Sequence, residues 1–425
     1  MPRPRNRSRI ELLAAGSFCA ALAGCASDPV SLDARAPVLP AAQKVARPVA
    51  FLHTQAFRED QQTIEPYGNK YYMPLKTGEA SDRVLRSTYA QVLAAPREVA
   101  SVADLRGTAG AQAPVALIEP SILRLDYVNA SARGWGPYFA EITYRFSLAD
   151  AAGAPLANWR VRGIGQYDPS VDKQEPLPRS ETAMLAEAPR RAINAAAVDF
   201  VGSFERVPEL IRLTRDLPLA GANVPAERQT TRDSAPASPG VEASYAGAFD
   251  LQVQRAVLPR PAPEIVKEVP QEPYLLPVRL TLHNRGAHRL ALYPADAEWL
   301  PAGQAAGAQQ PLSPLPAPVV SAFLAGQPFG LMVGVMSPGT GMLPGLFAAI
   351  VNLAEISRQK KEITAWGAVI DRELLAAGVA APAASRGGIV FFPRPPRLDG
   401  GTLTVLVIDL DDALRYTVRV PLPAK

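Results

Sequence analysis

The sequence has very little cysteine, and this limits how the folded protein can be stabilised. Its 425 residues include two cysteines, Cys19 and Cys25. Cys19 lies within an N-terminal segment that we expect to be removed, and Cys25 lies at the end of that segment, so the remainder cannot form an internal disulfide. A chain without disulfides depends on its apolar core for stability. A hydrophobic content of 48% in a chain of this length is enough for two domains of ordinary size.

Histidine is also scarce, and the motifs of common enzymes are absent. The three histidines, His53, His283 and His288, do not have the spacing of a metal site. There is no Gly-x-Ser-x-Gly elbow, no glycine-rich phosphate loop and no free thiol for nucleophilic catalysis. The acidic group Asp409, Asp411 and Asp412 is expected to be solvated or to cap a turn, with calcium binding as the alternative. The sequence therefore predicts a protein that is not an enzyme and has no cofactor or metal, with a hydrolase lacking a recognisable motif as the alternative.

The excess of positive charge is small and does not predict nucleic-acid binding. Four arginines and one glutamate lie in the first 24 residues, so removal of this segment lowers the formal net charge from +4 to +1. A nucleic-acid partner would require a clustered basic face with interleaved aromatic residues, and the sequence shows none. Nucleic acid is therefore not an expected partner.

The N-terminus has the pattern of a secretory signal peptide over residues 1–24. Four arginines between residues 3 and 9 precede a short apolar stretch at residues 12–21. That stretch is about half of the roughly 20 residues needed to span a membrane, so a permanent signal anchor is not expected. The residues Leu-Ala-Gly-Cys at positions 22–25 resemble the lipobox of bacterial lipoproteins.

The resemblance to bacterial lipoproteins implies a lipid anchor on Cys25. In that family the cysteine becomes the first residue of the mature protein and carries a diacylglyceryl group and an N-linked acyl chain such as palmitate. At about 0.8 kcal/mol per buried methylene, three chains hold a protein durably on a membrane. Ala26 and Ser27 follow Cys25, without the aspartate that usually retains lipoproteins in the inner membrane. The resemblance thus implies the periplasmic face of the outer membrane; an ordinary signal peptide with Cys25 as a spare thiol is the alternative.

The region after Cys25 predicts a tether followed by an α+β domain. Residues 25–47 are rich in alanine and proline and favour a lipidated, solvated tether, with a strand packed on the domain as the alternative. Residues 48–215 predict an antiparallel sheet with flanking helices. The clearest strand is Tyr138–Leu148, whose alternating pattern indicates one buried face and whose return strand, Leu156–Tyr167, completes a hairpin.

Two helices are predicted near the ends of this domain. The first covers residues 81–93, and the second begins near Pro189, because proline is tolerated in a first turn. The sequence Tyr-Arg-Phe-Ser-Leu-Ala-Asp-Ala-Ala-Gly at residues 144–153, which leads into a second strand and then an alanine-rich helix, loosely resembles domains of envelope lipoproteins of unassigned function. That resemblance covers about residues 48–215 and rests on pattern alone.

A linker and a second domain are predicted after residue 215. Residues 216–244 are rich in proline, alanine and serine without hydrophobic periodicity, and predict a protease-sensitive joint between two independently folded parts. Residues 245–425 predict a β-sandwich from several alternating segments, interrupted by an apolar helical insertion at residues 319–375.

The insertion overlaps a long stretch of the sequence that has no charged residues. Residues 299–354 contain no Asp, Glu, Lys or Arg, although 20% of the chain is charged. Within this gap Gly326, Gly330 and Gly334 are spaced by four, which places them on one helical face open to close approach. Contact with a membrane or a partner is predicted for these glycines and for Phe329, Met332, Leu343 and Phe347. Packing of the insertion as core against the sandwich is the favoured alternative, because each half is too short to span a membrane.

Taken together, these patterns predict a noncatalytic, lipid-anchored component of the bacterial envelope. It would bind or scaffold in the periplasm during assembly, transport or maintenance of the outer membrane. Its expected partners are the membrane, reached through the lipid on Cys25, and another envelope protein.

Overall fold

The chain adopts an α+β fold in this computed structural model, as the sequence predicted. Its strands form two groups of sheets, one before and one after residue 220. These groups are called the first and second units below. The structure describes residues 28–39, 45–66, 72–106, 110, 113–129, 138–169, 180–219, 227–230, 241–245, 248–256, 275–302, 311–315, 320, 372–393 and 400–422.

The first unit is a five-stranded sheet with helices packed against it. Its strands and those of a small hairpin are β1 (Val49–Phe51), β2 (Gln62–Ile64), β3 (Met73–Leu75), β4 (Pro96–Glu98), β5 (Ala116–Asn129), β6 (Tyr138–Asp150) and β7 (Pro155–Tyr167). Its helices are α1 (Gln55–Arg58), α2 (Thr77–Val92), α3 (Ala103–Arg106), α4 (Glu181–Gly202) and α5 (Pro208–Thr214), with a 3₁₀ turn at Ser203–Glu205. The sheet order is β4-β1-β5-β6-β7, and β2 pairs with β3 separately.

The predicted antiparallel sheet is correct for its three long strands and wrong for its short ones. β5, β6 and β7 pair antiparallel in a continuous meander. β1 pairs parallel with both β4 and β5. A parallel neighbour requires a long crossover connection, and the segment between β1 and β4 supplies one because it contains α2.

Strand β6 shows the predicted alternation but is buried on both faces over its first half. Its residues Tyr138, Ala140, Ile142, Tyr144, Phe146 and Leu148 all enter the core beneath the helices. On the opposite face, Phe139, Glu141 and Thr143 are also buried. The prediction of one buried face therefore holds only toward the end of the strand, where Arg145 is exposed.

Helix α4 begins eight residues earlier than the sequence predicted. Ser180 is its N-cap, and the Ser180 hydroxyl accepts a hydrogen bond of 3.1 Å from the backbone N–H of Ala183. Pro189, expected in the first turn, lies inside the helix. Since proline has no N–H, it cannot donate to the carbonyl of Leu185. The serine cap and the helix-forming residues after it outweigh this loss.

The predicted solvated tether is corrected by the structure for part of its length. Val30 exchanges backbone hydrogen bonds with the β3 segment, and Leu32 and Ala34 are buried in the core of the first unit. Val45 pairs with Leu93 at the end of α2. Backbone pairing and apolar burial therefore hold these residues on the domain, which is the alternative left open by the sequence.

The second unit consists of two sheets packed across a shared apolar core. Its strands are β8 (Glu227–Thr230), β9 (Val241–Tyr245), β10 (Phe249–Arg255), β11 (Leu275–Asn284), β12 (Leu290–Leu292), β13 (Glu298–Pro301), β14 (Gly378–Ala380), β15 (Ser385–Pro393), β16 (Gly401–Asp409) and β17 (Leu414–Leu422). One sheet has the order β15-β11-β10-β9, and the other has the order β14-β12-β16-β17-β8 with β13 also on β16. Side chains from both sheets form one cluster around Trp299 and Phe392.

The segment predicted as a linker contributes two strands to this unit. β8 pairs parallel with β17, and β9 pairs antiparallel with β10. Both are short and flanked by proline and glycine, so they give no hydrophobic period in the sequence. Of the predicted insertion at 319–375, only residues 320 and 372–375 lie within the described part of the chain.

Candidate functional site at the junction of the two units

A cleft of about 390 Å³ lies where the two units meet, and we call it the junction cleft. Its apolar and aromatic lining consists of Val92, Val201, Phe204, Ile211, Tyr293, Val379 and Leu410. The polar residues that line it are Glu205, Thr214, Arg215 and Arg289. A mostly apolar concavity with a few polar groups is the usual form of a site for a small ligand or a peptide side chain.

A small apolar cluster formed by both units adjoins the junction cleft, and its members Ile211 and Leu410 also line the cleft. It contains Ile211 of α5 together with Ala291, Ile408, Leu410 and Ala413 of the second unit, and Tyr293 packs beside it. The 3₁₀ turn that follows α4 brings the chain back into α5, whose Pro208 occupies the first turn. The Tyr293 hydroxyl donates a hydrogen bond of 3.2 Å to the Glu205 carbonyl.

Arginines of both units bind the turn between β16 and β17 beside the cleft. Arg289 donates to Oδ1 of Asp411 at 2.6 and 3.0 Å, and these hydrogen bonds lower the pKa of Asp411. Arg215 and Arg212 donate to the backbone carbonyls of Asp411 and Asp412. The second unit thus holds the turn through the Asp411 carboxylate, and the first unit holds it through the backbone carbonyls of Asp411 and Asp412.

Buried ion pairs fix the two units against each other behind the cleft. Arg206 donates to both carboxylate oxygens of Asp199, at 2.5 and 2.8 Å, and its Nε lies 3.8 Å from Asp296 of the second unit. Burial acts to lower the pKa of Arg206, but the hydrogen bonds and charge of Asp199 outweigh it and raise that pKa. Burial raises the pKa of Asp296. Breaking such a pair would leave a buried charge without compensation.

A second charged contact joins the outer face of the first sheet to the second unit. Arg162 of β7 donates to Glu141 of β6 at 2.7 Å and to the carbonyl of Pro314 at 3.3 Å. Nearby, Arg160 pairs with Glu298 of β13 at 2.6 Å. Glu141 and Arg162 are largely buried in these contacts, whereas the Arg160 side chain remains 43% exposed.

His288 lies at the rim of the junction with two aspartates of the β16–β17 turn. Its Nδ1 is 2.8 Å from Oδ2 of Asp409 and 3.5 Å from Oδ2 of Asp412. The hydrogen bond and charge of Asp409 raise the pKa of His288. The sequence interpretation of Asp409 as a turn cap is correct, because its Oδ1 accepts from the N–H groups of Asp411 and Asp412. One imidazole and two carboxylates are also a ligand set for a divalent metal.

The other two histidines are engaged in structural contacts. The His53 side chain is fully buried among Phe51, Phe57 and Tyr89, and its Nδ1 lies 2.6 Å from Asp82. Burial lowers the pKa of His53, which favours the neutral ring. His283 lies 2.7 Å from the Ser385 hydroxyl on the neighbouring strand β15. Neither histidine is among the residues that line the junction cleft.

All of the residues predicted as functional lie outside the described part of the chain. These are Cys25, Gly326, Phe329, Gly330, Met332, Gly334, Leu343 and Phe347. The residues that form the junction cleft were not predicted, because they come from six separate segments and no local pattern connects them. The apolar stripe of α5 that carries Ile211 is the one sequence signal that would have found part of it.

Comparisons with known proteins give little further information. No protein-family model and no curated protein matches this sequence. Two solved structures are similar to parts of it. A provisionally named lipoprotein from Caulobacter crescentus CB15 is 17% identical over 27% of this chain and 75% of its own, with a TM-score of 0.17. A hypothetical protein from Chlamydia trachomatis is 10% identical over 37% of this chain and 97% of its own, with a TM-score of 0.22. Likenesses of this size establish neither a family nor a function.

Among the residues that the structure describes, no helix is both long enough and apolar enough to cross a bilayer.

Proposed function

We propose that this protein is a lipid-anchored component of the bacterial envelope that acts by binding and not by catalysis. The observation that carries the proposal is the sequence Leu-Ala-Gly-Cys at residues 22–25, placed directly after a basic start and a short apolar stretch. Lipid on Cys25 holds the chain at the outer membrane, facing the periplasm, where its partner is another envelope protein.

The positions of the ionisable groups support binding over catalysis. His53 has a fully buried ring, and His283 and His288 are paired with Ser385 and Asp409; none of the three is among the residues that line the junction cleft. The lining of the cleft is mostly apolar, and Arg289, one of its polar residues, is paired with Asp411. A general acid or base needs a titratable group within hydrogen-bond reach of the reacting atoms. A cleft of this composition suits an apolar group of a ligand or partner.

The lipid anchor is tested by metabolic labelling with radioactive or alkyne-bearing palmitate. The unmodified chain should incorporate the label and sediment with outer membranes. Cys25→Ser should lose the label and either be released or accumulate as an uncleaved precursor, because the acceptor thiol is gone. Cys19→Ser is the matched control, since it removes the other cysteine and should retain labelling. Labelling that survives Cys25→Ser would refute the anchor.

The membrane assignment is tested separately at the residue after the lipidated cysteine. Ala26→Asp introduces the aspartate whose absence implies the outer membrane. On a sucrose gradient this variant should move to the inner-membrane fractions while keeping its palmitate. If the unmodified chain is already found in the inner-membrane fractions, the outer-membrane assignment is wrong. The proposal of a lipid anchor on Cys25 is not affected by that result.

A further inference from the structure

Three side chains that can bind metal meet at the edge of the junction cleft, although they are far apart in sequence. His288 lies between β11 and β12, Asp409 ends β16, and Asp412 lies in the following turn. The nitrogen and the two carboxylate oxygens nearest to one another all lie within 4.8 Å. The cleft residues Arg289 and Leu410 are direct sequence neighbours of His288 and Asp409.

The distances within this group match those between ligands of one metal ion. Tetrahedral bonds of about 2.0–2.2 Å to nitrogen and oxygen place neighbouring ligand atoms about 3.3–3.5 Å apart. Nδ1 of His288 lies 2.8 Å from Oδ2 of Asp409, which is shorter than that separation, and 3.5 Å from Oδ2 of Asp412, which agrees with it. All three ligand atoms lie within 4.8 Å of one another, so an ion would be accepted once the side chains adjust to that separation.

Contacts outside the group hold two of its members in place. Oδ1 of Asp409 accepts from two backbone N–H groups, at 2.9 and 3.0 Å, so Oδ2 is directed toward His288. On the other side, Asn284 donates to the carbonyl of His288 at 2.7 Å and to the carbonyl of Ala380 at 2.9 Å. Such outer contacts orient metal ligands and reduce the cost of binding.

The charge of the group also favours a divalent cation. Two carboxylates face one imidazole, so the group carries net negative charge whether or not the ring is protonated. Arg289 is the nearest arginine in sequence, but its guanidinium is bound to Asp411. The Asp412 side chain is 56% exposed and His288 is 45% exposed, so an ion can enter from solvent.

The geometry points to a binding site for a divalent transition metal, with Zn²⁺ the best match, held by His288, Asp409 and Asp412. An imidazole nitrogen with carboxylates suits Zn²⁺ better than Ca²⁺ or Mg²⁺, which prefer oxygen ligands alone. Three protein ligands leave a position for water or for an anionic group of a molecule in the cleft. The site involves no residue of the proposed lipid anchor and stands or falls independently of it.

The experiment is a calorimetric titration of the full-length chain with ZnCl₂ at pH 7.5. The protein carries no histidine tag, is treated with EDTA and is then freed of the chelator. One Zn²⁺ per chain is expected to bind. His288→Ala and Asp412→Asn should each weaken binding at least tenfold, because each removes one of three ligands. Asp412→Asn changes an exposed side chain, so it remains informative if the histidine variant folds poorly.

The control is a substitution of His283, one of the three histidines in this chain. His283→Ala removes a partly exposed histidine from the same unit and should bind Zn²⁺ with unchanged affinity. Co²⁺ should give visible absorption bands in the parent chain and in His283→Ala, and these bands should be lost in His288→Ala. No saturable Zn²⁺ binding, or equal affinity in the parent chain and His288→Ala, would overturn the proposal. A loss of binding in His283→Ala alone would do the same.

Discussion

Asp126 shows how the first sheet changes the chemistry of a single carboxyl group. It lies on β5 directly opposite Glu141 of β6, so two acids are cross-strand neighbours. Burial raises the pKa of Asp126 to about 6, and the charge of Glu141 adds to this, while Arg124 at 2.9 Å acts in the opposite direction. The folded state therefore binds a proton on Asp126 more tightly than the unfolded chain does, and the charged carboxylate lowers the stability of the folded state at neutral pH.

Asp126→Asn should stabilise the protein at neutral pH and have little effect in acid. The pKa of Asp126 is about 6 in the folded state, above its ordinary value of 3.8 in the unfolded chain. The contribution of the protonated carboxyl group to stability is therefore full below pH 3.8 and is lost as the pH rises through 6. A shift of this size corresponds to about 3 kcal/mol. Urea unfolding at pH 7.5 should show a gain of about 1–3 kcal/mol, which disappears near pH 4. Exposed Asp28→Asn is the control, and a gain that is independent of pH would contradict the assignment.

The role of Asp409 in its turn could be predicted from the sequence, but the pairing of His288 with Asp409 could not. The turn-capping role of Asp409 could be inferred because its partners, Asp411 and Asp412, are two and three residues away. His288 is 121 residues from Asp409 in sequence. Only the pairing of β12 with β16 brings the two together, and no local pattern of one chain specifies that pairing.

At the scale of elements, helix α4 packs unusually closely on strand β7. The contact is made by alanines of α4 against Gly163 and Gly165. A Cβ added to Gly163 would lie 1.9 Å from the carbonyl oxygen of Ala192, and one added to Gly165 would lie 2.0 Å from that of Ala188. Since both obstructions are backbone atoms, the helix would have to move away from the sheet.

Gly163→Ala should therefore destabilise the first unit. The expected loss is about 1–3 kcal/mol in the free energy of unfolding, from overpacking against a helix that cannot yield locally. Gly202→Ala is the matched control. Gly202 has helical backbone angles and open space around its Cβ position, so alanine there should be neutral or stabilise by up to about 1 kcal/mol. Thermal unfolding followed by circular dichroism measures both, and equal melting temperatures would disprove the close packing.

The long strands β6 and β7 were predictable, and the short strands β8, β12 and β14 were not, for a physical reason. β6 and β7 are 13 residues each, so their alternation persists long enough to indicate a period of two. β8, β12 and β14 have three or four residues and are held mainly by neighbours distant in sequence. Their strand conformation depends on the neighbouring strand and not on their own composition.

At the scale of the whole molecule, the two units share an interface that the sequence did not predict. The predicted joint separates two independently folded parts, and that independence remains a prediction. The interface combines an apolar cluster around Ile211 with the ion pairs of Arg206 and Arg160 across the units. Interfaces between domains of one chain range from transient to rigid according to their size and apolar content.

Ile211→Asp should uncouple the two units in thermal unfolding. Ile211 is 4% exposed and packs against Ile408 and Leu410, so a carboxylate there would be buried without a partner. In scanning calorimetry the parent chain should give one transition, because the shared interface must be lost when either unit unfolds. The variant should give two transitions, the first lowered by roughly 5 °C for a loss of about 2 kcal/mol. Val198→Asp, on an exposed valine of α4, introduces the same charge and should keep the single transition. Two transitions already present in the parent chain would mean that the units fold independently despite their contact.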